Sequence, residues 1–123
     1  MTSVTNIALS GMHASVFRVQ NSAKNIANAQ SSRSITNDGK VTNTPYLPQD
    51  IIQIADPNGG TYTTSRASEK TPVTTTDLTS GEQIQIPNED LNEELGKIQQ
   101  ASVNYKANLK VIQYNSNMAG SLI

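Results

Sequence analysis

A heptad pattern runs through the C-terminal stretch from Asn88 to Ile123 and constrains the fold more than any other feature. Its members are spaced alternately by four and three residues: Leu91, Leu95, Ile98, Ser102, Tyr105, Leu109, Ile112, Ser116, Ala119 and Ile123. This spacing is typical of a helix packed along a partner helix. At about 1.5 Å per residue the helix would be about 50 Å long, too long for the core of a small domain. The stretch therefore predicts a long helix that needs a partner.

The expected start of this helix is marked by Pro87 and Asn88. An Asn side chain can accept hydrogen bonds from the free N–H groups of a first helical turn, so we expect Asn88 to open the helix. Acidic residues follow, where the helix dipole favours negative charge: Glu89, Asp90, Glu93 and Glu94. These acids could also form a calcium or magnesium site or a carboxylate pair. No EF-hand spacing surrounds them, and we interpret them as a stabilised helix end.

A second heptad pattern lies near the other end of the chain, from about Thr2 to Ala29. Its members are Leu9, Met12, Val16, Val19, Ala23 and Ile26. The chain therefore divides into an N-terminal helix (1–29), a connector with a small β insert (30–87) and a C-terminal helix (88–123). The predicted fold is mainly α, with the two long helices forming a coiled-coil-like pair, parallel or antiparallel, and a small β-hairpin between them.

The middle of the chain shows strand and turn patterns. The predicted elements are a connector at Gln30–Asn43 with a turn at Asn37–Gly39, a strand at Tyr46–Ala55, a turn at Asp56–Gly60, a return strand at Thr61–Thr64, an extended or irregular stretch at Glu69–Ser80 and a short strand at Gln83–Ile86. The first two strands and their five-residue connection predict a β-hairpin.

The composition offers little material for a self-contained core. Only 35% of the residues are hydrophobic, with one Phe and no Trp, so the chain has few large side chains to bury. A net charge of −1 gives no reason to expect nucleic acid as a partner. We also expect no cleaved signal peptide, since the residues after Met1 lack a basic segment followed by an apolar block.

No pattern in the sequence points to catalysis. There is no cysteine, and His13 is the single histidine, without an acidic residue within one helical turn. A lone histidine is far more often a surface residue than a ligand. The Gly59-Gly60 pair lacks the spacing of a phosphate-binding loop. We therefore expect a non-enzymatic protein with no catalytic residues, no metal, no cofactor and no small-molecule substrate.

Two short stretches at opposite ends of the chain together resemble one known family. Residues 24–29 (Lys-Asn-Ile-Ala-Asn-Ala), preceded by Ala-Leu-Ser-Gly-Met at 8–12, resemble the N-terminal signature of the bacterial flagellar rod and hook family. Residues 101–108 (Ala-Ser-Val-Asn-Tyr-Lys-Ala-Asn) resemble its C-terminal signature. Residues 46–53 and 85–91 are similar to the corresponding parts of the short proximal rod proteins of the C type.

The resemblance implies a structural subunit of the basal-body rod that transmits torque. Such subunits pass unfolded through the flagellar type III export apparatus without a cleaved signal and assemble helically in the periplasm. The implied partners are other rod subunits, copies of the same chain and the export apparatus, with membrane-ring proteins as a further candidate. The expected assembly interface comprises Leu9, Met12, Val16, Val19, Ala23, Asn25, Ile26, Asn28, Leu91, Leu95, Ile98, Tyr105, Ala107, Asn108, Leu109 and Ile112. The alternative is a cytoplasmic coiled-coil adaptor or export chaperone.

Overall fold

The computed structural model describes residues 3–31, 33–34 and 46–122. The turn expected at Asn37–Gly39, most of the connector, and the terminal residues Thr2 and Ile123 lie outside these ranges. The elements in chain order are α1 (Val4–Ala27), β1 (Arg33–Ser34), β2 (Gln49–Ala55), β3 (Thr61–Ala67), β4 (Val73–Thr76), β5 (Gln83–Ile86) and α2 (Leu91–Ser121). About half of the chain is helical, and the prediction of two long helices flanking a small β region is confirmed.

Both helices begin at side-chain caps. Ser3 accepts a hydrogen bond from the Asn6 N–H at 3.1 Å and starts α1. Asp90 caps α2 by accepting from the N–H groups of Asn92 at 2.9 Å and Glu93 at 3.4 Å. The expectation that Asn88 caps this helix was wrong. The carboxylate of Asp90 accepts the same bonds and also places a full negative charge at the positive end of the helix.

The predicted hairpin is present. Strands β2 and β3 pair antiparallel, with Gln49 opposite Ala67 and Ala55 opposite Thr61. The connection runs from Asp56 to Gly60 and is closed by a 2.9 Å hydrogen bond from the Asp56 N–H to the Gly60 carbonyl. The five-residue connection matches the sequence prediction, and the return strand is longer than predicted, ending at Ala67.

A second small sheet was not predicted. It has the order β1-β5-β4, with antiparallel pairing on both sides of β5. The strand at Gln83–Ile86 is confirmed, but β4 lies in the stretch 69–80 that we expected to be extended or irregular. All four residues of β4 are exposed, so no burial pattern marks the strand in the sequence. Its conformation comes from pairing with β5, a contact that local sequence does not show.

The two helices pack antiparallel. Asn115 Nδ2 donates to Thr5 Oγ1 at 3.1 Å near one end of the pair, and Asn25 Nδ2 donates to Glu94 Oε1 at 3.3 Å near the other. The sequence left the relative direction open. The β2–β3 hairpin lies against one side of this pair, where α1 contacts both of its strands.

Small and polar side chains fill the contact between the helices. The buried helical residues are Ala8, Met12, Ala14, Ser15, Ser22 and Asn25 in α1, and Glu94 and Ala101 in α2. We expected the heptad residues of α2 to face α1, but Leu91 and Leu95 are about half exposed. The buried residues Glu94 and Ala101 each lie one position before a residue of the heptad pattern, namely Leu95 and Ser102. The contact on α2 therefore lies on the stripe next to the heptad pattern, where the small side chain of Ala101 permits a close approach of the two backbones and Glu94 makes a polar contact with Asn25.

Candidate assembly surface

The side of the helix pair away from the hairpin carries a set of mostly apolar heptad residues, here called the open face. It comprises Leu9, Val16, Val19, Ala23, Leu91, Leu95, Ile98, Ser102, Tyr105 and Leu109. At 100° per residue, Val16 lies roughly 140° around α1 from Asn21, whose side chain donates to the β2 carbonyl of Gln49 at 2.6 Å. Ser102 lies roughly 140° around α2 from Lys97, which is 3.6 Å from Asp50 of β2. The open face is thus the flank that the hairpin leaves uncovered.

A groove of about 370 Å³ runs between the helices on the open face. Four expected interface residues meet there, namely Val16, Val19, Ile98 and Tyr105. The remaining lining residues are Ser15, Gln20, Ala101, Ser102 and Lys106. The two separate heptad patterns in the sequence therefore converge on one apolar groove.

The other expected interface residues have different positions. Asn25 and Met12 are buried within the chain, and Ile26, Asn108 and Ile112 are partly buried. Asn28 lies at the end of α1, where its side chain donates to the Lys24 carbonyl at 2.9 Å. Ala107 is exposed but lies roughly 160° around α2 from Tyr105, away from the open face.

The two signature stretches touch each other at Gly11 and Asn108. A Cβ atom at Gly11 would lie 2.6 Å from Asn108 Nδ2, so any larger residue there requires the Asn108 side chain to move. The Asn108 amide is held in place by donating to the Asn104 carbonyl at 2.9 Å. This close approach was not foreseen, although both residues stand in the stretches that carry the family resemblance.

Ser10, next to Gly11, fixes the hairpin turn to α1. Its hydroxyl donates to the Ile7 carbonyl at 2.6 Å and accepts from the Thr61 N–H at 3.1 Å. Gly60 has a φ of 81°, and a Cβ there would lie 2.5 Å from Ser10 Oγ. Ser10 therefore contacts the hairpin, and Gly11 makes a close contact with α2.

We expect the effect of Gly11→Ala on stability to depend on Asn108. In the wild type, the added methyl must displace the Asn108 amide, which offsets the helix-propensity gain of about 1 kcal/mol. In an Asn108→Ala background the clash is absent, so Gly11→Ala should raise the free energy of unfolding by about 0.5–1 kcal/mol. Urea unfolding of the four variants measures the coupling. Equal effects in both backgrounds would contradict the close approach.

A second cluster, the polar junction, joins α1, the start of β2 and the start of α2. It comprises Asn25, Tyr46, Gln49, Glu94 and Lys97. Asn25 Oδ1 accepts from the Tyr46 hydroxyl at 2.6 Å and from the Gln49 N–H at 3.1 Å. Its Nδ2 donates to the Gln49 carbonyl at 2.9 Å and to Glu94 Oε1 at 3.3 Å. One fully buried amide side chain therefore holds three segments together.

The environment of Glu94 differs most from the one expected from the sequence. We interpreted it as part of a stabilised helix end, but it is 1% exposed and lies inside the polar junction. Lys97 Nζ donates to its Oε1 at 3.2 Å. Burial lowers the pKa of Lys97, but the hydrogen bond and charge of Glu94 outweigh this and raise it above its ordinary value. The Lys97 ammonium therefore stays charged and partly balances the buried carboxylate.

The described parts of the chain give no sign of a metal centre or a membrane span. Within residues 3–31, 33–34 and 46–122, no three His, Cys, Asp or Glu groups are placed to hold a metal ion. Over the same ranges, neither helix is both long and apolar enough to cross a bilayer.

Comparison with models of known protein families gives no match, and a search of curated proteins gives none either. The resemblance to the rod and hook family therefore depends on the two signature stretches of the sequence alone.

Proposed function

We propose that the chain is a structural subunit of the bacterial flagellar basal-body rod, of the short proximal C type. In this proposal it is not an enzyme and needs no cofactor. It is exported by the flagellar type III apparatus without a cleaved signal and assembles helically in the periplasm to transmit torque. Its partners are copies of itself and other rod subunits, with membrane-ring proteins as a further candidate.

The observation that carries the proposal is the uncovered open face. Leu95 is 51% exposed and Val16 is 41% exposed, although both belong to regular heptad patterns. Covering a large apolar side chain of this exposure would contribute about 1–2 kcal/mol. Several such residues aligned on both helices favour a neighbour packed lengthwise along the pair, in the manner of a coiled coil. A head-to-tail contact that does not close generates a helical filament.

The second support is the placement of the signature residues. Gly11 and Asn108 come from opposite ends of the chain and meet in one contact. Asn25, from the N-terminal signature, is the centre of the polar junction. A chance match of short motifs would not require these residues to have structural roles that depend on each other.

The proposal is tested by locating the protein in the bacterium that carries the gene. We expect an epitope-tagged chain to co-purify with isolated basal bodies, and deletion of the gene to leave cells non-motile with incomplete rods. The adaptor or chaperone alternative predicts a tagged protein that stays in the cytoplasmic fraction and is absent from basal bodies. That second result would overturn the rod assignment.

A further inference from the structure

The buried carboxylate of Glu94 lacks a hydrogen-bond donor on one of its two oxygens. Oε1 accepts from Asn25 at 3.3 Å and from Lys97 at 3.2 Å. Oε2 is fully buried and has no hydrogen-bond partner among the described residues. Leaving a buried polar atom without a hydrogen-bond partner destabilises the fold, and more so when the group is charged. A residue that is 1% exposed therefore needs a further donor.

Glu89 is placed to supply that donor. It lies five positions before Glu94, in the segment between β5 and α2; its side chain is partly buried, and the hydrogen bond and charge of Glu94 contribute to raising its pKa. Two ionised carboxylates are both acceptors only, so they cannot bond to each other. A protonated Glu89 carries one O–H donor, which would satisfy the Glu94 carboxylate.

We propose that Glu89 and Glu94 hold one proton between them in the folded chain near neutral pH. Uptake of this proton tightens the polar junction of α1, β2 and α2, and its release loosens the junction. The pair is a proton-binding site built from two acids that are five residues apart in sequence. It is independent of the proposed role in the rod.

The surroundings support proton uptake on Glu89. Burial, followed by the hydrogen bond and charge of Glu94, raises the pKa of Glu89 to about 7. The titratable and charged groups around the pair are Tyr46 before β2, Asp50 in β2, Lys70 between β3 and β4, and Glu93 and Lys97 in α2. The two lysines oppose the shift, but both have other carboxylate partners. Lys70 lies 2.8 Å from Glu93, and Lys97 lies 3.6 Å from both Asp50 and Glu93.

The direction of the pH dependence follows from linkage. The ordinary glutamate pKa is 4.5, and the folded-state pKa of Glu89 is about 7. Between these values the folded chain keeps a proton that the unfolded chain releases. The contribution to stability is therefore fully present below about pH 4.5, declines as the pH rises and is lost above about pH 7.

Carboxyl ¹³C NMR of the full chain between pH 3 and pH 9 tests the site directly. We expect one glutamate titration near pH 7 in the wild type, belonging to the coupled pair, and its disappearance in Glu89→Gln. Glu82→Gln is the matched control, because Glu82 is exposed and lies at the far end of β5, before Gln83. This variant should keep the titration near pH 7. If all carboxyl groups of the wild type titrate below about pH 5.5, the shared proton is disproved.

Urea unfolding over the same pH range gives a second readout. The side-chain amide that Glu89→Gln introduces can donate to Glu94 at every pH. The unfolding constant of the wild type, relative to that of Glu89→Gln, should therefore rise by about tenfold or more between pH 4.5 and pH 7. A constant ratio would overturn the proposal. If Glu89→Gln fails to fold, the wild-type NMR titration alone decides.

Discussion

Replacing Asn25 by alanine is expected to lower the free energy of unfolding by about 2–4 kcal/mol. The substitution removes four hydrogen bonds at once, to Tyr46, to Glu94 and to both backbone groups of Gln49. Asn25 is 0% exposed, so water cannot replace these bonds without opening the structure. Urea unfolding followed by circular dichroism at 222 nm measures the loss.

Asn28→Ala is the matched control for this experiment. Asn28 has the same side chain and belongs to the same signature stretch, but its bonds are local, to the Lys24 carbonyl and from the Ser31 hydroxyl. We expect it to cost less than about 1 kcal/mol. Equal losses for Asn25→Ala and Asn28→Ala would contradict the role of Asn25 as the centre of the polar junction.

On the proposed function, Leu109→Asp is expected to abolish rod assembly and motility while leaving the isolated chain folded. Leu109 lies on the open face and is 38% exposed, so the monomer loses only part of its packing, about 1–2 kcal/mol. In the assembled state the same substitution would bury a carboxylate without a partner in an apolar contact, which is far more costly. Motility on soft agar and recovery of the tagged variant in basal bodies measure the outcome.

Val111→Asp separates an effect on assembly from an effect on folding. Val111 is in the same helix and is 41% exposed, but it lies roughly 160° around α2 from Leu109. The two variants should have similar stability as isolated subunits, and only Val111→Asp should assemble. A motile Leu109→Asp strain would contradict the assignment of the open face as an interface.

The elements of the fold with a strong local signal could be predicted from the sequence. The heptad spacing predicts both helices, because their period depends on neighbouring residues only. Alternating Ile52 and Ile54, followed by the turn residues 56–60, similarly predicts the hairpin. Strand β4 carried no such signal, since its exposed Thr-rich segment becomes a strand through pairing with β5.

The choice of the buried helix face could not be predicted in the same way. In α1, the buried residues Ala8, Ser15 and Ser22 share the heptad spacing of the expected pattern but carry smaller side chains, and Met12 is the one residue of that pattern that is buried. Periodicity alone does not distinguish the stripe that packs inside the subunit from the stripe that stays outside. The distinction depends on where the hairpin docks and on how closely Gly11 lets α2 approach.

The polar junction could not be predicted from short sequence patterns either. An acid near a helix start looks the same in sequence whether it is exposed or buried. Glu94 is buried because the fold brings Asn25 of α1 against it, whereas Lys97 lies one helical turn away in the same helix. The resemblance singled out Asn25 as a residue of interest, but it did not indicate its hydrogen-bond partners.

The polar contacts between the helices also affect how the pair responds to load. A helix interface made of leucines can shift by one helical turn and still bury a similar apolar area. In this chain, a slip of about 5.4 Å would break the Thr5–Asn115 bond at one end and the Asn25–Glu94 bond at the other. Polar residues in a helix interface fix its register in this way. The helix pair should therefore resist axial shear as a stiff unit, so that a force applied to one helix is passed to the other without slippage.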